Sequence, residues 1–218
     1  NLASTESATF SGAANLENVI SRVTGGNPSS IDGLLRSTIP NADFFFINPA
    51  GVIFGLNAQI DIDGSFAVST ADFLTLADGG RFDAANPTND SLTIAPPSAF
   101  GFVNFNPSSI TLNGAILEVN SGESLTIVGG DISLDNSASL TAPGGDIQMV
   151  AVDSAGELPL DNLSTAAFTA LGDIEILNNS SIDISSPLTT GSIMSKAETI
   201  TMEGEMESTG GDISLIAD

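Results

Sequence analysis

The run Gly129-Gly130-Asp131-Ile132-Ser133-Leu134 returns as Gly144-Gly145-Asp146-Ile147-Gln148-Met149 and as Gly210-Gly211-Asp212-Ile213-Ser214-Leu215. A weaker copy is Leu171-Gly172-Asp173-Ile174-Glu175-Ile176. Each copy is a turn followed by a strand with two inward apolar positions. One such strand cannot bury its own face, but stacked copies close a core around those positions. The Gly-Asp-Ile copies begin at Gly130, Gly145, Gly172 and Gly211, an uneven spacing. Uneven spacing fits a solenoid with loops between turns better than a propeller, whose blades recur at a steadier period. The expected fold is all-β, a right-handed parallel β-helix with hairpin and loop insertions.

A period of two dominates elsewhere. Ile60, Ile62 and Gly64 alternate with Asp61 and Asp63, and Phe66 and Val68 continue the run. Leu92 and Ile94 flank Thr93, and Ile110, Leu112, Ile116, Leu117 and Val119 look similar. Such alternation turns every second side chain to one buried face. The segment Ala13 to Val23 stays open: Leu16, Val19, Ile20 and Val23 suit a helix capped by Asn15, and equally a strand with a turn. Phe44, Phe45 and Phe46 cannot all face one core. Phe44 and Phe46 share a face, and Phe45 needs either a covering hairpin or an outside partner.

Residues 1–218 read as a single domain cut from a larger protein, with no closing cap expected at Asp218. Residues 1–76 form one region. An excursion is expected at 77–101, where Asn86-Pro87 and Pro96-Pro97 interrupt the pattern, and repeats at 102–218 with a second insertion at 150–170.

Composition excludes several functions. The formal net charge is -23, and the only basic residues are Arg22, Arg36, Arg81 and Lys196. Nucleic-acid binding needs a cluster of cations to neutralise phosphates, so none is expected. Anionic membrane surfaces would repel the chain, and no apolar run approaches the roughly 18 to 20 residues that span a bilayer. Charged residues are only 14% of the chain and mean hydropathy is +0.25, which separates it from disordered acidic tails. Cysteine is absent, so the core and backbone ladder must hold the fold without disulfides. No signal peptide is visible at Asn1-Leu2-Ala3-Ser4-Thr5.

Two Asn-Pro pairs, Asn27-Pro28 and Asn48-Pro49, sit among short β-rich runs. Proline presets φ for a turn, and the preceding Asn can bond its own backbone two residues on. Gly51 supplies the fourth position of Asn48-Pro49-Ala50-Gly51. These residues are either plain corners of the coil or recognition points placed on corners.

Catalysis has little to work with. Asp61 and Asp63 lie two apart, as a carboxylate pair would, but also as acids do on a solvated strand. Histidine and cysteine are missing, which removes most nucleophilic and transition-metal sites. Asp131, Asp146, Asp173 and Asp212 could line up toward calcium, yet no more than two glycines precede any of them where the calcium nonapeptide needs a third. No enzyme, cofactor or metal is expected.

One stretch carries a resemblance. Val23-Thr24-Gly25-Gly26-Asn27-Pro28-Ser29-Ser30-Ile31-Asp32-Gly33-Leu34-Leu35 is followed by Phe44-Phe45-Phe46-Ile47-Asn48-Pro49-Ala50-Gly51-Val52. In order and separation the two blocks resemble the two-partner-secretion domain of filamentous-haemagglutinin-like exoproteins. Ala50 and Val52 depart from the family's Asn and Ile. The resemblance implies a module exported through the periplasm to the bacterial surface by an outer-membrane β-barrel transporter with periplasmic POTRA domains (TpsB type). It implies a role in adhesion, a host or cell-surface ligand, and transporter recognition or folding nucleation at Asn27, Pro28, Asn48, Pro49 and Gly51. A purely structural stalk and a polysaccharide-active enzyme are the alternatives.

Overall fold

The computed structural model describes residues 1–218, which form 24 strands and a single 3-10 turn at Pro87–Asn89. The chain is all-β, its sheets are mostly parallel, and none closes into a barrel.

Its path is a repeated lap around three faces. The first face is a seven-stranded sheet: Asn18–Arg22, Asp43–Ile47, Phe66–Ser69, Leu125–Gly129, Ile147–Ala151, Ser192–Ala197 and Asp212–Ala217. The second has six strands: Ser29–Ile31, Val52–Phe54, Ile110–Asn113, Ile132–Asp135, Asp173–Ile176 and Thr199–Met202. The third is made by two shorter sheets. One holds Ser7–Phe10, Leu34–Ser37 and Gln59–Asp61, the other Ile116–Glu118, Ser139–Thr141, Ser181–Asp183 and Glu205–Glu207. The chain visits the faces in constant order, and every pairing within them is parallel. Some laps take 22 residues, the separation of Asp43 from Ser65 and of Thr126 from Gln148, and others are slightly shorter or longer. This is consistent with a β-helical coil.

Register aligns like with like. Phe44, Phe66, Leu125, Ile147 and Ile193 stand in one inward column, and Phe46, Val68, Ile127 and Met149 in the next. All nine are buried in the larger core. Alternation in each strand thus becomes a continuous apolar axis, which no single lap could supply.

The Gly-Asp-Ile copies mark two different corners. Ile132 and Ile174 pair on the six-stranded face, whereas Ile147 and Ile213 lie on the seven-stranded one, each paired to Ile193 between them. Uneven spacing in sequence is therefore regular spacing in space. At the second corner Gly145, Gly191 and Gly211 stack, and a Cβ on any of them would overlap the carbonyl oxygen of Glu123, Gly145 or Gly191 respectively. Only glycine lets successive backbones approach this closely.

Two excursions leave the coil between its first and second faces. The earlier runs between Ser69 and Ile110, the later between Ala151 and Asp173. Their strands Phe73–Leu76, Arg81–Asp83, Pro97–Phe102 and Gly156–Pro159 combine in one antiparallel sheet. It covers the outer side of the seven-stranded sheet, where Ile47, Ala67, Val128 and Val150 meet Leu74, Phe100 and Leu158 in a second core. Phe45 lies under this cover, 6.4 Å from the Phe100 ring centroid, while Phe44 and Phe46 point inward.

One open reading is decided and another changes. Asn18–Arg22 is a strand paired with Asp43–Ile47, and Leu16 is exposed. The waiting ladder of the second lap decides against a helix, because local propensity is weak beside tertiary pairing. Leu92 and Ile94 form no strand and are exposed; only Ser91 bridges to Arg81. Alternation without a neighbouring strand does not make one, and Pro96 and Pro97 cannot donate to a ladder.

Candidate functional site

The corner between the first two faces gathers Asn27, Pro28, Asn48, Pro49 and Gly51. Asn48 is fully buried and uses all of its polar side chain. Its amide Nδ2 donates to the Asn27 carbonyl oxygen at 3.0 Å and to Ser29 Oγ at 2.8 Å. Its Oδ1 accepts from the Ala50 N–H at 3.0 Å, the bond of an Asx turn. A buried side-chain amide costs stability unless it is satisfied, and this one joins two laps while being satisfied.

The main chain closes the same turn, since the Gly51 N–H donates to the Asn48 carbonyl at 3.0 Å. Gly51 sits at φ 111°, where an L side chain is strained. Its Cβ position lies 3.3 Å from the Ser109 carbonyl and 3.7 Å from Pro28 Cβ, so three laps meet there. The first pair differs from the second. Residues 25–27 make a bend, Gly26 carries the positive φ, and Ser29 already belongs to a strand. Asn27 is exposed, and its Nδ2 reaches only its neighbour, the Gly25 carbonyl, at 3.1 Å.

A third Asn-Pro pair joins the corner. Asn106-Pro107-Ser108-Ser109-Ile110 repeats Asn27-Pro28-Ser29-Ser30-Ile31 residue for residue, a signal that sequence inspection could have used. Ile110 pairs with Val52, which sets Pro107 level with Pro49, whereas the first copy is offset by two. Ser108 Oγ donates to the Pro49 carbonyl at 2.7 Å, and Thr70 Oγ1 donates to the Ser108 carbonyl at 2.8 Å.

Two hollows flank these turns. One of about 330 Å³ lies beside Asn27 and Pro28 and is lined by Leu2, Val23, Ile31 and Phe46. The other, about 270 Å³, lies against Pro49 and Ala50, with Val23 and Ala84 on its wall.

The acids serve the backbone. Asp131 Oδ1 accepts from the Asp173 N–H at 2.9 Å, and Asp146 Oδ1 from the Ser192 N–H at 2.7 Å. The four repeat aspartates thus divide between two faces and do not line up. No group of three or more His, Cys, Asp or Glu is placed to hold a metal ion. Asp61 pairs with Arg36 at 2.9 Å, and its strand ends before Asp63, which accepts from the Asn41 N–H. Burial pushes the Asp43 carboxyl above its ordinary range, partly offset by the Ser65 N–H and reinforced by Glu123. No helix is long and apolar enough to cross a membrane.

Sequence reading missed a second set of residues. Arg22, Asp83 and Asp90 meet where the first excursion touches the first lap, and no spacing announces them.

No curated protein matches the chain, and no solved structure does. The family described as TPS secretion domain matches residues 1–215. This match spans almost the whole coil, and the chain belongs to the TPS secretion domain family.

Proposed function

We propose that this domain is the export-recognition module of a large bacterial exoprotein, taken through the periplasm and across the outer membrane by a β-barrel transporter bearing POTRA domains. The fold is read as a right-handed parallel β-helix, the hand that crossovers between parallel strands almost always take. Residues 1–76 are read as the segment the transporter engages, with Asn27, Pro28, Asn48, Pro49 and Gly51 as its recognition or nucleation points. Residues 77–101 and 150–170 are read as insertions in the coil, and 102–218 as its repeats. Delivery to the cell surface, with binding of a host or surface ligand by the exported protein, completes the reading.

The observation that carries it is Asn48. A plain corner needs a turn-former, whereas this side chain also fastens the first lap to the second through Asn27 and Ser29. A chain that emerges from a pore amino end first would need such a link early, so that burial of each later lap opposes backsliding. At roughly 25 cal/mol per Å² of apolar surface, stacked strands supply that bias without a nucleotide.

The test is export of the full precursor, with Asn27→Ala, Asn48→Ala and Gly51→Ala compared against wild type beside the cognate transporter. Lost export by a variant whose purified domain still folds supports recognition at the corner. Export at the wild-type level by all three removes the transporter role and leaves a stalk.

A further inference from the structure

Register places Arg22, Ile47, Ser69, Val128, Val150 and Lys196 in one column on the outer side of the seven-stranded sheet. The middle four are fully buried beneath the flanking antiparallel sheet. Arg22 begins the column, Lys196 follows Val150 with Ile216 beyond it, and the two basic residues reach sideways to the two excursions. Lys196 Nζ donates to the Leu163 carbonyl at 2.8 Å. Arg22 Nη1 donates to both carboxylate oxygens of Asp90, at 2.7 and 2.8 Å, and to the Asp83 carbonyl at 2.9 Å.

The Arg22 end is a built contact. Its guanidinium stands 4.3 Å from the Phe82 ring centroid, and both charged side chains are about four-fifths covered. Asp90 Oδ1 also takes the Asp83 N–H at 2.8 Å. The Asp83 carboxylate, itself buried, is gripped by Arg81 at 2.7 and 2.9 Å and accepts from the Asn86 N–H. A shielded charge-assisted contact with an aromatic neighbour, here shared from the one nitrogen Nη1, holds better than an exposed ion pair.

Chain order gives the contact its meaning. The segment carrying Asp83 and Asp90 leaves the coil after Phe66–Ser69 on the third lap, yet it grips the first. Elsewhere in the stack, strands pair only with those of adjacent laps. Asn18–Arg22 is an edge strand, laddered on one side only to Asp43–Ile47.

We propose that the flanking sheet is a strap, and that Arg22 with Asp90 is its buckle on the first lap. The edge strand Asn18–Arg22 is held in the native state by residues that lie 61 and 68 positions further along. The first lap is then committed only when Asp90 is in place, whether or not the domain is exported.

Hydrogen exchange on the full chain tests this, using Arg22→Met, Asp90→Asn, the double variant, the reversed pair Arg22→Asp with Asp90→Arg, and Lys196→Met. Amides in Asn18–Arg22 and in residues 81–91 are expected to exchange at least ten-fold faster, together, in each single variant. The double variant should be no worse than either single one, and the reversed pair should recover part of the protection. Leu125–Gly129 should keep its rate throughout, and Lys196→Met should loosen Ser192–Ala197 and the region of Leu163 alone. Wild-type exchange at Asn18–Arg22 in both single variants overturns the proposal, as does simple additivity in the double one. Should Arg22→Met fail to fold, Asp90→Asn, which keeps the side chain's shape, reads the same coupling.

Discussion

Ser108 donates its hydroxyl hydrogen to the Pro49 carbonyl at 2.7 Å from 59 residues further along the chain. Thr70, where the first excursion departs, bonds the Ser108 carbonyl where it returns. Departure and return are thus pinned at one point, on top of the turn that Asn48 builds. The entropy of closing so long a loop grows only slowly with its length, so a few well-placed bonds suffice to seat it.

Asn48 and Asn27 should behave differently on truncation. Asn48→Ala leaves Ser29 Oγ, the Asn27 carbonyl and the Ala50 N–H short of a partner at a buried corner. A loss of about 2–3 kcal/mol is expected from urea unfolding. Asn27→Ala removes an exposed bond to Gly25 and should cost within about 0.5 kcal/mol.

The glycine column makes a sharper contrast. Gly145→Ala drives a Cβ into the Glu123 carbonyl, which cannot rotate away, so the two laps must part. A loss of about 3 kcal/mol is expected, at the upper end for overpacking. Gly25→Ala meets nothing within 4 Å and serves as the matched control. Equal urea midpoints for the two variants would contradict the stacking described.

Ser195 stands among apolar neighbours in the inward column, fully buried, with no partner for its hydroxyl. Ser195→Ala removes an unsatisfied group and keeps the small volume. The variant should be more stable than wild type by about 1 kcal/mol, read by thermal and urea unfolding.

Two carboxylates should respond to pH with opposite signs. Burial raises the Asp72 carboxyl above 3.8; Asp83 adds to this, while the Val103 N–H and Arg81 oppose it. Its ionised form is therefore disfavoured in the fold, a cost absent below the unfolded pKa, growing as pH rises from there and complete above the folded pKa. Asp72→Asn should be more stable than wild type near neutrality, and the gap should close in acid. Burial works to raise Asp90 too, but Arg22 and the Asp83 N–H outweigh it and hold the carboxyl below 3.8. Asp90 therefore stabilises the fold above its unfolded pKa, and that contribution fades as pH falls through the folded value. Asp90→Asn should be less stable near neutrality, with that gap also closing in acid. Melting curves from pH 3 to pH 7 check both.

The parts of this fold legible in the sequence are those encoded within a strand and its turn. Alternation marks Phe66 to Ser69 and Ile132 to Leu134 directly, and the parity of Phe44, Phe45 and Phe46 foretells that something must cover Phe45. The strand at Asn18–Arg22 was ambiguous because its partner, not its own residues, decides its state. The pairing of Pro97–Phe102 with Gly156–Pro159 joins segments on either side of two full laps, and no local pattern records it. The pairing of Arg22 with Asp90 is invisible for the same reason, although the scarcity of cations makes Arg22 itself conspicuous. At the corner, Asn48-Pro49-Ala50-Gly51 reads plainly as a turn, but the partners of the Asn48 amide come from the preceding lap.

Both excursions depart at the same corner, between the seven-stranded and six-stranded faces. Length added there leaves the phase of all later strands intact, whereas one residue added inside Ile116–Glu118 would invert every side chain after it until the strand ended. That corner is where such an architecture can acquire new material by descent, and where a foreign peptide can be grafted for display without unwinding what lies above or below.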